Sequence, residues 1–180
     1  MEKKKIFKPQ FSLTGWISSI IILLISSLIV FAILKAIPFI PKGIPLHEHI
    51  LFGVTFIMAC CFLLASLGFL LIYPTMRYEV ENGYLILRCG PFRSKISIKD
   101  CEIIGTHTLK YHPTSTGWKI PGYALFRVYY ADAGYVKMYS TAMLRNILLI
   151  QTEKEIYGIT PADEEGFIKE IERQKGAKIY

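Results

Sequence analysis

Two apolar stretches near the N-terminus, Leu13 to Leu34 and Ile50 to Tyr73, constrain this chain more than any other feature of it. A bilayer core about 30 Å thick takes about 20 consecutive, mostly apolar helical residues. Each stretch has that length, and neither contains Asp, Glu, Lys, Arg or His. Both are therefore expected to span a membrane. Between them Pro38, Pro41 and Pro45 forbid a regular helix and predict a short turn at the far surface. A cleaved secretory signal is the rival reading of the first stretch. It is the weaker one, because the run exceeds the 7 to 15 residues of an ordinary signal core and no A-x-A cleavage site follows.

The chain has 180 residues, of which 52% are hydrophobic and 19% charged. With the hairpin assigned to residues 1–75, the remaining residues, 76–175 above all, suffice for one small water-exposed domain. The net charge of +7 has a position. Lys3, Lys4, Lys5 and Lys8 precede the first stretch, Arg77 and Arg88 follow the second, and only Lys35 and Lys42 lie between. The positive-inside rule then puts both termini in the cytoplasm of a two-span cell-membrane protein. After Pro74, 15 basic groups face 12 acidic ones, so the domain is nearly balanced and nucleic acid is not an expected partner.

Within the stretches, Ser19, Ser26 and Ser27 of the first and Gly53, Ala59, Ala65, Ser66 and Gly68 of the second are small enough for close helix approach. No ionisable group lies at mid-membrane depth, which argues against a conducting pore. In the connection, His47 and His49 flank Glu48. On an extended segment the two imidazoles could face one metal, but they supply at most half of a tetrahedral site, and a polar lead-in to the second helix is the plainer reading. Cys60, Cys61, Cys89 and Cys101 have no zinc spacing, and a cytosolic domain disfavours a disulfide. No metal or cofactor is expected.

From Met76 the period changes from helix to strand. Arg77 to Val80 and Tyr84 to Cys89 flank Asn82-Gly83, the strongest short hairpin signal. Further strands are predicted at Arg93 to Ile98, Cys101 to Leu109 with a bulge at Gly105, Leu125 to Ala131, Tyr135 to Tyr139, Asn146 to Gln151 and Glu155 to Ile159. Thr160-Pro161-Ala162-Asp163 then predicts a helix capped by Thr160, running from Pro161 to about Lys175, with Phe167, Ile168 and Ile171 on its buried side. The N-terminal Met1 to Ser12 reads as an interfacial lead-in.

Lys110 to Tyr123 forms the longest predicted loop. Lys110, His112, Trp118, Lys119 and Tyr123 make it the candidate interaction surface, because an aromatic set among mobile polar residues can supply a desolvated anchor. The alternative is that Trp118 folds back to cover an open end of the sheet. Arg88, Arg93, Lys95 and Lys99 form a second candidate, for weak contact with anionic headgroups. His107 and His112 stand at no spacing from an acid that implies catalytic pairing, and no nucleotide-binding or hydrolase motif occurs.

Three stretches resemble the PH-like (pleckstrin-homology-like) domains of bacterial and archaeal membrane proteins: RYEVENGYLILRCGPFRSKISIKDCEII (77 to 104), PGYALFRVYYADAGYVKMYST (121 to 141) and ILLIQTEKEIYGITPADEEGFIKEI (147 to 171). The resemblance implies a mainly-β, partly open barrel of about seven antiparallel strands closed by a C-terminal amphipathic helix, behind a two-helix transmembrane hairpin. It does not imply an enzyme. The phosphoinositide-binding form of that fold carries a basic cluster at its first hairpin, where this chain has Glu79 and Glu81.

Two functional readings follow. The first is a non-enzymatic, membrane-anchored interaction or scaffold module that binds membrane lipids and another membrane or cytoplasmic protein, or a second copy of itself. The second is an accessory subunit of a membrane enzyme or transporter, or a weak sensor of anionic lipid.

Overall fold

The computed structural model describes residues 4–39, 45–113 and 117–176, the side chains of Phe39 and Trp118 excepted. Lys3, Pro41 and Lys42, used in the topology argument above, lie outside them. The chain divides into two compact units, Ile17–Leu71 and Met1–Trp16 with Ile72–Tyr180.

The first unit is built on helices α1 (Leu13–Ala36) and α2 (Leu46–Ile72). By length and composition both can cross a membrane, with mean hydropathies of 2.9 and 2.5. Large apolar side chains such as Leu24, Leu28, Phe31, Ile57 and Leu64 are exposed, a pattern that water would oppose and lipid would not. The helices meet through polar side chains. Ser26 and Ser66 are buried with their hydroxyls 3.3 Å apart, so that one donates to the other while the second donates back to the carbonyl of its own helix, Ile22 O or Phe62 O. Gly53 and Gly68 have open space where a Cβ would stand and Ser27 is occupied with Leu23, whereas Ser19, like Ser26 and Ser66, is buried. His47 and His49 lie exposed in the first turn of α2. Alternate helical residues point about 200° apart, so they do not converge as they would on a strand.

In the second unit, sheet I has the order β1-β2-β3-β4, from β1 (Lys5–Phe7), β2 (Arg77–Glu81), β3 (Tyr84–Cys89) and β4 (Phe92–Ser97). Asn82 and Gly83 both take positive φ, 51° and 75°, the combination a two-residue hairpin needs. Sheet II has the order β5-β9-β10-β8-β7-β6. Its strands are β5 (Glu102–His107), β6 (Trp118–Ile120), β7 (Tyr123–Tyr130), β8 (Gly134–Ser140), β9 (Ile147–Gln151) and β10 (Ile156–Ile159). Gly105, at φ 114°, marks the expected bulge where the register of β5 on β9 slips.

Three departures from expectation have physical causes. The N-terminal segment forms β1, paired with β2, because Phe7 gains a buried place against Phe167. Pairing is not wholly antiparallel. After β8 the chain passes through 141–146, β9 pairs with β5, and β10 returns between β9 and β8, parallel to β8. Finally, helix α3 (Glu164–Gly176) begins later than its cap sequence suggests. The Thr160 hydroxyl is buried and bonded to Thr141, so it does not cap the helix. Asp163 does so instead, accepting from Gly166 N–H at 2.9 Å.

Tyr78 joins the sheets. Its hydroxyl donates to Tyr139 O at 2.7 Å and accepts from Thr160 N–H at 3.2 Å, and its ring lies 6.3 Å from that of Phe167. On α3, Phe167, Glu170, Ile171 and Gln174 are buried at helical spacing. The opposite face of sheet II carries its own cluster, with Val128, Tyr130, Val136, Met138 and Ile147 closed over by Leu109 and Leu144. Replacing fully buried Phe167 by Ala should cost about 3–5 kcal/mol. Urea unfolding of the full chain in detergent checks this, and a loss within the surface range of about 0.5 kcal/mol would mean that α3 does not close the core.

Candidate functional site

The β7–β8 hairpin carries an exposed aromatic strip whose placement begins with one backbone irregularity. Phe126 takes φ 70°, a left-handed conformation that bulky residues rarely adopt. Phe126 and Arg127 are consequently both exposed in succession, and Val128 and Tyr130 resume the buried alternation. Arg127 and Tyr129 then share a face with Tyr135, which stands opposite Tyr129 in the register. The Tyr129 and Tyr135 rings are 5.1 Å apart, His112 meets Tyr129 edge-on at 5.1 Å, and the Arg127 guanidinium lies 4.7 Å from the Tyr135 ring. Beside this strip Lys119 Nζ sits 4.6 Å from the ring of Tyr111. Tyr111 and Tyr135 remain about half exposed, at 51% and 53%.

Of the loop residues named from sequence, His112 and Lys119 thus join an aromatic surface, and partial burial pushes the Lys119 amine down. Lys110 is exposed and anchors the loop through its N–H, which donates to both Asp132 carboxylate oxygens at 3.0 and 3.1 Å. Trp118 opens β6 with its backbone opposite Leu125, and its side chain lies outside the described ones. Tyr123 is withdrawn from the expected surface. It is 1% exposed, with its hydroxyl 3.2 Å from the Cys89 thiol and its ring 5.2 Å from Tyr73, and burial pushes both phenol and thiol up. Tyr111, Arg127, Tyr129 and Tyr135 were missed. One signal was available: Tyr129 and Tyr135 are equidistant from Asp132, so a hairpin centred there pairs them.

A second surface covers the outer face of sheet I. Arg77 pairs with Arg88 and Arg88 with Arg93, so three guanidiniums form one row across adjacent strands. Lys95 lies on the same face, its Nζ 3.7 Å from the Tyr84 ring. Lys99 belongs to the following turn, Ile98–Asp100, and does not join the row.

Like charges in such a row repel, and Glu79 partly offsets them. Its carboxylate is fully buried beneath the cations, 3.0 Å from Lys4, 2.8 Å from Arg77 and 3.3 Å from Arg88. The contact with Arg88 Nε is an ion pair without hydrogen-bond geometry. Burial raises the Glu79 pKa, but Lys4, Arg88 and Arg77 more than reverse this and hold it below the usual carboxylate range. A folded pKa below the unfolded one stabilises the fold fully above the unfolded value, and the contribution is lost as pH falls from there through the lower folded one. Glu79→Gln should therefore destabilise the protein at pH 7, by about 1–3 kcal/mol because the cations can rehydrate, and flatten its acid loss. Urea midpoints of both proteins at pH 7 and pH 4 check this.

Among the described residues no group of three His, Cys, Asp or Glu side chains could hold a metal ion. Both surfaces present aromatic and cationic side chains, carried chiefly by strands. In comparison with known proteins, a family model described as a bacterial PH domain matches residues 76–175. No curated protein and no solved structure matches the chain.

Proposed function

The chain belongs to the bacterial PH domain family, and from that premise we propose that it is a non-enzymatic, membrane-anchored interaction module. In this reading the spans are residues 13–34 and 50–73, both termini are cytoplasmic, and residues 76–175 form a partly open PH-like barrel to which β1 lends a strand. The observation that carries it is the seating of both helix ends in the domain. Trp16, in the first turns of α1, packs edge-on against Tyr73, just past α2, at 5.4 Å, and the Tyr73 hydroxyl donates to Ser12 O at 3.2 Å. Ser12, Trp16 and Tyr73, at the domain-side ends of the two helices, thus belong to the domain's own compact unit. Such tethering raises the effective concentration of a weak binding surface, which suits a shallow aromatic strip better than a deep pocket.

The partner is a membrane or cytoplasmic protein, or a second copy, engaged by His112, Lys119, Tyr111, Tyr129 and Tyr135. Tyr and Arg are the residues that most often anchor interfaces, and the strip supplies both at partial exposure. A photo-crosslinker at position 111 in native membranes should capture a discrete protein, and Tyr135→Ala should cut that yield about ten-fold if Tyr135 is an anchor worth about 1.4 kcal/mol or more. Unchanged yield from a folded Tyr135→Ala protein would remove the strip from the interface.

Orientation has its own test. In a cysteine-free background in intact cells, an impermeant thiol reagent should modify Lys42→Cys and leave Lys95→Cys protected. The reverse labelling would place the domain outside.

A further inference from the structure

The arginine row of sheet I continues towards the N-terminal segment. Extending the β1–β2 register by one place beyond Phe7–Tyr78 sets Lys8 opposite Arg77. The outer face then carries Lys4, Lys8, Arg77, Arg88, Arg93 and Lys95 against the carboxylates of Glu79 and Glu81 alone. Glu79 already serves Lys4, Arg77 and Arg88, while neither the Lys8 amine nor the Arg93 guanidinium meets a carboxylate among the described residues. This surplus of positive charge is fixed in place. Gly90 N–H donates to Thr75 Oγ1 at 2.7 Å, and a Cβ on Gly90 would meet Ile72 at 2.9 Å. The β3–β4 turn, with Arg88 and Arg93 on either side, is thereby held against the residues by which the chain leaves α2.

Lys8 and Arg77 also border a groove of about 570 Å³ that is otherwise largely apolar, with Phe11, Trp16, Tyr73 and Met76 in its lining. Phe11 is 74% exposed there. Trp and Tyr at the ends of spans are the side chains that settle at the headgroup level of a bilayer. The row covers three inter-strand spacings, about 15 Å, which is longer than one phosphate and comparable with the spread of neighbouring headgroups. We infer that the Lys8–Arg77–Arg88–Arg93 row binds the phosphates of anionic glycerophospholipid in its own leaflet, with the apolar part of one such lipid lying in the adjoining groove. The inference rests on the membrane-anchored reading above. The site lies at the end of β2 and β3 away from their Asn82-Gly83 turn.

The experiment uses the full chain, extracted in a neutral detergent and exposed to equal amounts of phosphatidylglycerol and phosphatidylcholine, with retained lipid counted by native mass spectrometry. Each near-surface cation contributes about a five-fold preference. The unaltered chain should therefore retain phosphatidylglycerol at least about ten-fold over phosphatidylcholine, and Lys8→Gln with Arg93→Gln should bring the ratio to about two or below. These side chains are exposed and have no carboxylate partner, so the pair should fold, and Lys154→Gln with Lys169→Gln serves as a remote control that should leave the ratio unchanged. Phe11→Ala should lower retention of both lipids. A ratio near one in the unaltered chain, or an equal fall in the control pair, would overturn the inference. So would displacement of lipid by soluble glycerophosphoglycerol at matched concentration, because a site for the headgroup alone has no use for the groove. Alkaline carbonate washing separates the two readings: release of the chain from membranes removes the anchor itself, whereas a retained chain with a ratio near one removes only the lipid site.

Discussion

The Tyr78 hydroxyl is the contact on which the two-sheet arrangement turns. It is buried on β2 of sheet I, yet its donor and acceptor capacities are both met from the other side of the core, by Tyr139 O at the end of β8 and by Thr160 N–H just past β10. A buried phenol left unpaired would cost about 1–3 kcal/mol, so these bonds select one sheet-to-sheet arrangement from the many that apolar contact alone would permit. Phe7 and Phe167 complete the cluster from β1 and α3. Thr160, drawn into this network through Thr141, is no longer available to cap the helix, and that is why Asp163 takes the role.

The two candidate surfaces depend on this frame in different ways. The aromatic strip is a property of one hairpin: Phe126 resets the alternation of β7, and Tyr129, Tyr135 and Arg127 emerge together. The basic face needs three strands and a distant N-terminal segment. Its charges come from residues 4, 8, 77, 88, 93 and 95, which only strand pairing makes neighbours. Glu79 makes that pairing tolerable, because one buried carboxylate screens the repulsion that a bare arginine row would suffer. The uncompensated remainder, Lys8 and Arg93, lies at the end of the sheet where the chain continues into its apolar helices.

Local chemistry made much of this readable in advance. A run of 20 or more apolar residues has few soluble uses, an Asn-Gly pair between alternating strands demands positive φ, and an apolar stripe at helical spacing demands a core. Hence the two long helices, the β2–β3 hairpin, the Gly105 bulge and α3 were all legible, and so was the aromatic character of the 110–123 region. The sequence could not show that β6 exists, because a three-residue strand between Gly117 and Pro121 has too little period to register. Nor could it show that Tyr123 is spent on Cys89 and Tyr73 in the interior.

What the sequence determines by itself about this protein is the set of elements and their kind, since these follow from interactions between residues a few positions apart. Tertiary structure decides which of them touch: that Lys5–Phe7 joins a sheet whose other strands begin 70 residues later, that β10 runs parallel to β8, and that arginines at 77, 88 and 93 form one row. The reason is energetic. Each such pairing closes a long loop at an entropic cost that no local pattern reveals, and it is favourable only when the whole core it helps to bury is in place.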